Sequence, residues 1–233
     1  MTLQEVRDNF VARYKLVTQG KDAPIMQLDD KLIADLISEA QQDIQRRLQV
    51  VELNKLINLV NGTNSYSLPT NFGSDKLVLL SDTVSGISKL EASSSNEIYN
   101  QIALSDTPTK YAILESGFTQ NIILYPTPKD STQSITVYYY PDTNYFSPSG
   151  ASSQDWGNFD GNLFSGNLKL PERYYKAIIF YMLAQIIPPI IGYRRMLINE
   201  YQNKYDEELR SLRGSRVSSM SDTINFNIGG ISG

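Results

Sequence analysis

Hydrophobic positions in the first fifty residues recur every three or four residues, which is the repeat of a helix with one buried face. The first stripe predicts a short amphipathic helix that ends near Gly20. The second predicts a helix over about residues 30–49, capped by Asp29 or Asp30. The first stripe consists of Leu3, Val6, Phe10, Tyr14 and Val17; the second consists of Ile33, Leu36, Ile37, Ala40, Ile44 and Leu48.

The repeat changes after about residue 50, where short apolar runs alternate with turn residues. Asn61-Gly62 between two such runs predicts a hairpin. KLVLL (76–80) and ISKLEAS (87–93) predict further strands, while TKYAILES (109–116), QNIILYP (120–126) and QSITVYYYP (133–141) predict a three-strand meander. Strands at this spacing with no helix between them indicate an antiparallel sheet or a small sandwich.

Three consecutive tyrosines, Tyr138 to Tyr140, end the last of these runs. Side chains of a strand alternate between its two faces, so Tyr139 is expected to point away from its neighbours. The three rings therefore cannot form one stacking platform. We interpret them as strand residues with a polar tip.

Helical character returns in LPERYYKAIIFYMLAQII, where Pro171 suits the first helical position and Pro188 ends the run. A fourth helix is predicted over roughly 190–212. We therefore predict an α+β protein, in which an antiparallel helical bundle built from the N- and C-terminal helices carries an inserted antiparallel β domain. The predicted parts are helical residues 1–50, a β domain over 51–168 with a long loop at 142–168, helical residues 169–213 and an extended tail over 214–233.

The predicted tail has apolar residues at every second position: Ile224, Phe226 and Ile228 alternate with polar residues. A period of two does not fit a helix. The segment resembles a strand that completes a sheet edge, and another chain could supply that edge. A disordered tail, or a strand that pairs with the β domain of its own chain, remains open as an alternative.

Composition narrows the possible chemistry. The chain of 233 residues has no cysteine and no histidine, which excludes Ser-His-Asp and Cys-His hydrolases as well as cysteine- or histidine-ligated metal sites. No phosphate-binding glycine motif occurs. We expect no catalysis, no cofactor and no metal. The net charge of −4 gives no overall attraction to nucleic acid, and the apolar runs are too short and broken to predict a membrane span.

Acidic residues at two places are candidate metal ligands. Asp29 and Asp30 precede a predicted helix, where carboxylates usually serve as cap and first-turn residues. The loop holds Asp155, Asp160 and Asn162, but their spacing matches no EF-hand.

Arginines concentrate around the last predicted helix. A contact with DNA or an acidic partner is conceivable there, although glutamates and aspartates lie between the arginines and favour a solvated face of mixed charge. These arginines are Arg194, Arg195, Arg210, Arg213 and Arg216.

The order of these pieces resembles the head-to-tail adaptor proteins (connector, or tail-tubular-A-like) of tailed bacteriophages, particularly short-tailed ones. The matching elements are Leu68-Pro69 with Phe72, Tyr125-Pro126, Tyr138 to Tyr140, and Leu170-Pro171 with Tyr174. The resemblance covers roughly residues 25–190. The loop at 142–168 is longer than this pattern leads us to expect, and the last helix carries acids as well as arginines.

The resemblance implies a structural virion protein at the head–tail junction, assembled in the host cytoplasm. It implies a ring, usually of twelve copies, that joins the portal to the tail or to a second adaptor. DNA would pass through the channel during ejection without sequence-specific binding. Members commonly reach the portal or neighbouring subunits through a terminal extension, a role that would fall to Ile224, Phe226 and Ile228.

Two other functions are weighed against this one. A carbohydrate-binding β module would use Trp156, Phe159, Tyr145 and Phe146 as a stacking surface. A carboxylate-dependent glycosidase would need two acids across a cleft, and no sequence feature selects such a pair.

Overall fold

The computed structural model describes residues 1–18, 28–82, 86–95, 97, 107–116, 119–129, 131–146, 164, 166–186 and 193–221. These residues form four α-helices and two four-stranded sheets, so the protein is of the α+β class. The chain divides into two compact units. The first comprises Met1–Val50 and Phe146–Gly233, and the second comprises Val51–Tyr145.

The two helices predicted near the N-terminus are confirmed. Helix α1 spans Leu3–Thr18 and begins with a capping box, in which the Thr2 hydroxyl accepts from the Glu5 N–H at 3.2 Å and the Glu5 carboxylate accepts from the Thr2 N–H at 2.8 Å. Helix α2 spans Asp30–Leu48, and the Asp29 side chain caps it by accepting from the Lys31 N–H at 3.2 Å. Asp29 is therefore a cap residue, as its position before the helix indicated.

Helix α3 spans Tyr175–Ile186 and is apolar on nearly every side. It contacts α1, α2 and α4, the last of which spans Tyr193–Ser221. A helix that is hydrophobic all round is stable only when it is covered on all sides. Helix α3 is therefore the core of the first unit. Its buried residues are Ala177, Ile178, Ile179, Met182, Leu183, Ala184 and Ile186.

Two helix ends differ from the predictions. Pro171 does not begin the α-helix, because its carbonyl accepts from the Tyr174 N–H at 3.0 Å and a 3₁₀ turn, Glu172–Tyr174, comes first. Helix α4 continues to Ser221, although an extended tail was predicted from residue 214. The residues added contain no proline, and lengthening an existing helix avoids the cost of a new nucleus. Residues 222–233 lie outside the described part.

The second unit is a sandwich of two sheets. The first sheet has the order β1-β8-β3-β4, with β1 at Leu53–Asn58, β8 at Ser134–Pro141, β3 at Phe72–Asp82 and β4 at Gly86–Lys89. The second sheet has the order β2-β7-β6-β5, with β2 at Ser65–Ser67, β7 at Thr119–Tyr125, β6 at Lys110–Ser116 and β5 at Glu91–Ala92. The strand pairs are antiparallel except β5 with β6.

Side chains from both sheets meet in one core, which is why the second unit is a sandwich. Along β8 the buried positions alternate with half-buried ones, so Tyr139 points into the core and its two neighbours point away from it. The prediction that the three tyrosines cannot share a face is confirmed. The core consists of Leu59, Leu68, Phe72, Val78, Leu80, Leu90, Tyr111, Ile122, Leu124, Ile135, Val137 and Tyr139.

Two predicted strand pairings are wrong. Strands β1 and β2 flank the Asn61-Gly62 turn but belong to different sheets, and β8 pairs with β1 and β3 instead of continuing a meander from β7. In both places the chain crosses from one sheet to the other. The two crossing segments contact each other, because the Gly62 N–H between β1 and β2 donates to the Pro128 carbonyl between β7 and β8 at 2.8 Å. The pairing of β6 with β7 is confirmed.

Gly73 lies at an irregularity of β3, between the pairings of Phe72 and Ser74 with β8. A Cβ atom there would stand 2.8 Å from the Tyr140 carbonyl oxygen and 3.0 Å from the Asp142 nitrogen, both of them backbone atoms that are costly to move. The close approach of the two strands therefore requires glycine at this position.

We expect Gly73→Ala to lower the stability of the sandwich by about 1–3 kcal/mol, the usual cost of forcing extra volume into a packed site. Urea unfolding followed by tyrosine fluorescence measures it. Ser74→Ala is the matched control on the adjacent exposed residue and should change stability by less than about 0.5 kcal/mol. Equal stability of the two variants would contradict this reading of the strand contact.

Candidate interaction surfaces

Three of the arginines singled out from the sequence have exposed side chains on α4: Arg195, Arg210 and Arg213. Arg195 and Arg213 are eighteen residues apart, which is five helical turns or about 27 Å, so they lie on the same side of the helix. Arg210 lies about 60° round the helix from the line that joins Arg195 to Arg213. Arg194 and Arg216 are within α4, but their side chains lie outside the described part.

One acidic residue, Asp206, shares this side of α4. Asp206 lies close to the line of Arg195 and Arg213 and forms an ion pair with Arg47 of α2 at 3.1 Å. Glu200 lies about 140° round the helix from Arg195 and pairs with Lys204 one turn further along. The surface is therefore a mixture of both charges and not a continuous basic stripe.

A polar contact that the sequence did not reveal joins α4 to α2. The Tyr205 hydroxyl donates to the Asp43 carboxylate at 2.6 Å, and the Arg47 Nε donates to the same carboxylate at 2.8 Å. The Arg47 guanidinium also stands 5.4 Å above the Tyr205 ring. Asp43 and Arg47 are four residues apart on α2, and so both face the same stretch of α4.

Burial raises the pKa of Tyr205 far above its ordinary value, and the nearby Asp43 carboxylate raises it further. Burial likewise raises the pKa of Tyr181, whose ring meets that of Tyr205 edge-on at 5.4 Å between centroids. Both hydroxyls therefore stay protonated at neutral pH. The contact fixes the rotation of α4 about its own axis relative to α2, and with it the direction in which the exposed arginines point.

Polar residues on the buried face of α2 hold both ends of the long loop. The Ser38 hydroxyl donates to the Phe146 carbonyl at 3.0 Å, and the Gln41 side chain accepts from the Lys169 N–H at 2.9 Å. The start of helix α1 also holds the C-terminal end of the loop, because the Leu3 N–H donates to the Gly166 carbonyl at 3.0 Å. The loop is thus attached to the first unit at Phe146 and again at Gly166 and Lys169.

This attachment corrects one element of the carbohydrate-binding alternative. Phe146 is only 2% exposed, so it packs in the interior and cannot form part of a stacking surface. Trp156 and Phe159 lie outside the described residues, as do Asp155, Asp160 and Asn162.

Among the described strands, β1 has a partner on one side only. It pairs with β8 on one side, and among the backbone hydrogen bonds of the described residues none satisfies its other side. Leu56 of β1 is 58% exposed on the outer face of the sheet, and Leu53 and Ile57 are half-buried against the sandwich core. The predicted strand-forming residues Ile224, Phe226 and Ile228 lie outside the described part of the chain.

Other kinds of site find no support in the described residues. No group of three acidic side chains stands close enough together there to hold a metal ion. The helices that the structure describes include none with the length and apolar character of a membrane span. The candidate sites are the surfaces of a helical unit and of a sandwich, which together define an α+β protein.

Comparison with known proteins identifies the family. The family model of the SU10 adaptor protein matches residues 1–225. The chain therefore belongs to the SU10 adaptor protein family, in agreement with the resemblance to phage head-to-tail adaptors. A search of curated proteins found no match.

We expect Tyr205→Phe to lower the stability of the helical unit at pH 8 by about 1–2 kcal/mol, because the Asp43 carboxylate loses a buried donor. The measurement is urea unfolding followed by helical circular dichroism. Tyr138→Phe, a half-buried tyrosine on the sandwich, is the control and should leave the helical transition unchanged.

The raised pKa of Tyr205 predicts that the stability lost in Tyr205→Phe depends on pH. Because the folded-state pKa of Tyr205 is raised, its contribution is fully present below the ordinary tyrosine pKa of 10.0 and declines as the pH rises above that value. The stability difference between the native chain and Tyr205→Phe should therefore narrow by up to about 1.4 kcal/mol per pH unit above pH 10. A difference that stays constant from pH 8 to pH 11 would show that Tyr205 is not shielded from ionisation.

Proposed function

We propose that this protein is a structural component of a phage virion, whose copies form a ring that joins the portal to the tail around the DNA channel. Membership of the adaptor family over residues 1–225 is the observation that carries the proposal. Twelve copies is the number that the resemblance implies. The ring would assemble in the host cytoplasm and remain at the head–tail junction.

The helical unit supplies the rigid part of such a ring. Helix α3 is covered by α1, α2 and α4, and we propose that these helices form an antiparallel bundle. The Asp43–Arg47–Tyr205 contact holds α4 in place. Exposed side chains of α4 are then presented at fixed positions to a neighbouring subunit.

The charges of α4 suit a passage through which DNA slides. Arg195, Arg210 and Arg213 can attract phosphates, while Asp206 on the same side of α4 limits how many phosphates bind at once. A chain with a net charge of −4 gives no general attraction to DNA. DNA would therefore pass without sequence-specific binding. We propose these arginines as contacts to the channel or to a neighbouring subunit.

We propose that the protein is not an enzyme and needs no cofactor or metal. The absence of histidine and cysteine removes the imidazole general base, the thiolate nucleophile and the soft metal ligands. The raised pKa values of Tyr205 and Tyr181 arise mainly from burial, so a structural role accounts for both shifts.

The C-terminal residues 222–233 are proposed to attach the ring to its neighbours. Truncation after Ser221 keeps all of α4 and removes the alternating segment. Electron microscopy of portal mixed with the full-length protein should show rings on the portal, and these should be lost on truncation. A protein that ignores the portal but binds glycans, and loses that binding on Trp156→Ala, would overturn the adaptor function.

A matched pair of variants tests whether the apolar face of the segment makes the attachment. Aspartate at Ile224, Phe226 and Ile228 should abolish ring attachment, whereas aspartate at Thr223, Asn225 and Asn227 adds the same charge to the opposite face and should largely preserve it. Negative-stain images and co-sedimentation with portal provide the measurement. Equal loss in both variants would mean that charge alone weakens attachment, and equal binding would exclude this face from the contact.

A further inference from the structure

We infer that residues 223–228 of one copy add as an antiparallel strand to the free edge of β1 in a neighbouring copy. The inference deepens the proposed function and rests on it, because it assigns a receiver to the segment proposed to attach the ring. It depends on two independent observations: an edge strand with no partner in the described residues, and a terminal segment with strand periodicity.

The length of β1 distinguishes it from the other edge strands. Strands β2 and β5 have three and two residues, β4 has four, and β1 has six. The alternating segment 223–228 also has six residues. Only β1 among the described edges therefore offers a complete ladder for it. The backbone groups on its open side are the template that strand addition requires.

The side-chain pattern of β1 fits the segment in one register. Leu53, Lys55 and Ile57 lie on the core-facing side of β1, since they pair with the buried residues Tyr139, Val137 and Ile135 of β8. Leu53 and Ile57 keep part of their surface exposed, and no described strand covers this edge of the sandwich. Three apolar side chains added beside them would complete the cover of the core.

An antiparallel pairing in full register supplies those side chains. It places Ile224 opposite Ile57, Phe226 opposite Lys55 and Ile228 opposite Leu53. Two of these are apolar pairs, and the third sets the Lys55 ammonium and its aliphatic stem beside the Phe226 ring, an arrangement that cations and aromatic rings favour.

The opposite face of the segment suits the outer face of the sheet. In the same register Asn225 lies opposite Leu56 and Asn227 lies opposite Asn54, so the added amides remain in contact with water. A shift by one residue would turn Ile224, Phe226 and Ile228 outward and the asparagines towards the core. The register is therefore specified by the alternation of both strands.

Addition in trans fits a ring. When each copy donates a strand to the next and receives one from the previous copy, the contact is heterologous and closes when the rotation between copies permits. Addition to β1 of the same chain would use the same edge but would link no subunits. The experiment must therefore separate donor from receiver.

The cysteine-free chain allows this separation directly. Asn54→Cys in one preparation and Asn227→Cys in another place single thiols at positions that the register brings opposite each other. The two variants are mixed, allowed to assemble with portal and oxidised mildly. The disulfide-linked dimer is measured by non-reducing electrophoresis as the excess over the dimers that each variant forms when oxidised alone. Cross-strand Cβ atoms stand close enough for such a bond.

Two controls accompany the mixture. Lys55→Cys with Asn227→Cys puts the thiols on opposite faces of the sheet, only one residue away from the test pair. Ser65→Cys with Asn227→Cys tests an exposed serine on the edge strand of the other sheet. We expect the test pair to exceed both controls by about tenfold, because pairing holds its thiols at a millimolar effective concentration.

The outcomes separate this inference from the proposed function. Rings on the portal without the 54–227 disulfide would overturn strand addition to β1 and leave the adaptor function in place. The disulfide without rings on the portal would support strand addition between copies and count against the adaptor function. A third preparation carries Asn54→Cys and Asn227→Cys in the same chain. A disulfide that forms within that chain, but not between the two single variants, would show addition in cis and overturn the inference.

Discussion

The burial of one apolar helix governs the arrangement of the first unit. Helix α3 has almost no polar side that could face water, so it is stable only when other helices cover it all round. The cover comes from α1 and α2 at the beginning of the chain and from α4 after it. The start and the end of the chain must therefore fold together, and Val51–Tyr145 form a compact unit of their own.

The helices and the existence of most strands could be predicted because their signals are local. The stripe of α2 and the alternation of β8 are each contained within a single element. Strand pairing could not be predicted in the same way. A turn such as Asn61-Gly62 reverses the chain equally well within a sheet and between two sheets, and the burial of Leu59 between the sheets decides the outcome. That burial depends on strands that lie far away in sequence.

In the candidate surfaces, too, local patterns can be predicted from the sequence and contacts between distant residues cannot. The alternation of Ile224, Phe226 and Ile228 is visible in the sequence. That β1 is an edge strand follows only from the order β1-β8-β3-β4, in which β8 pairs with one side of β1. The sequence does not predict the contact of Tyr205 with Asp43 and Arg47 either. A sequence signal for such contacts does exist, since Ser38, Gln41 and Gln45 are polar residues on the buried face of α2 and buried polar groups need partners. It reveals the need for a partner without identifying it.

Strand addition to β1 has an energetic consequence for assembly. Ordering each residue of a free segment costs about 1–2 kcal/mol, while each new hydrogen bond returns a net of about 0.5–1.5 kcal/mol. The backbone terms therefore nearly cancel, and the surplus must come from the burial of Ile224, Phe226 and Ile228. A contact of this kind is weak between two free copies. It becomes strong when a ring already holds donor and receiver close together, because the effective concentration is then high. Attachment through the segment would thus favour closed rings over isolated pairs.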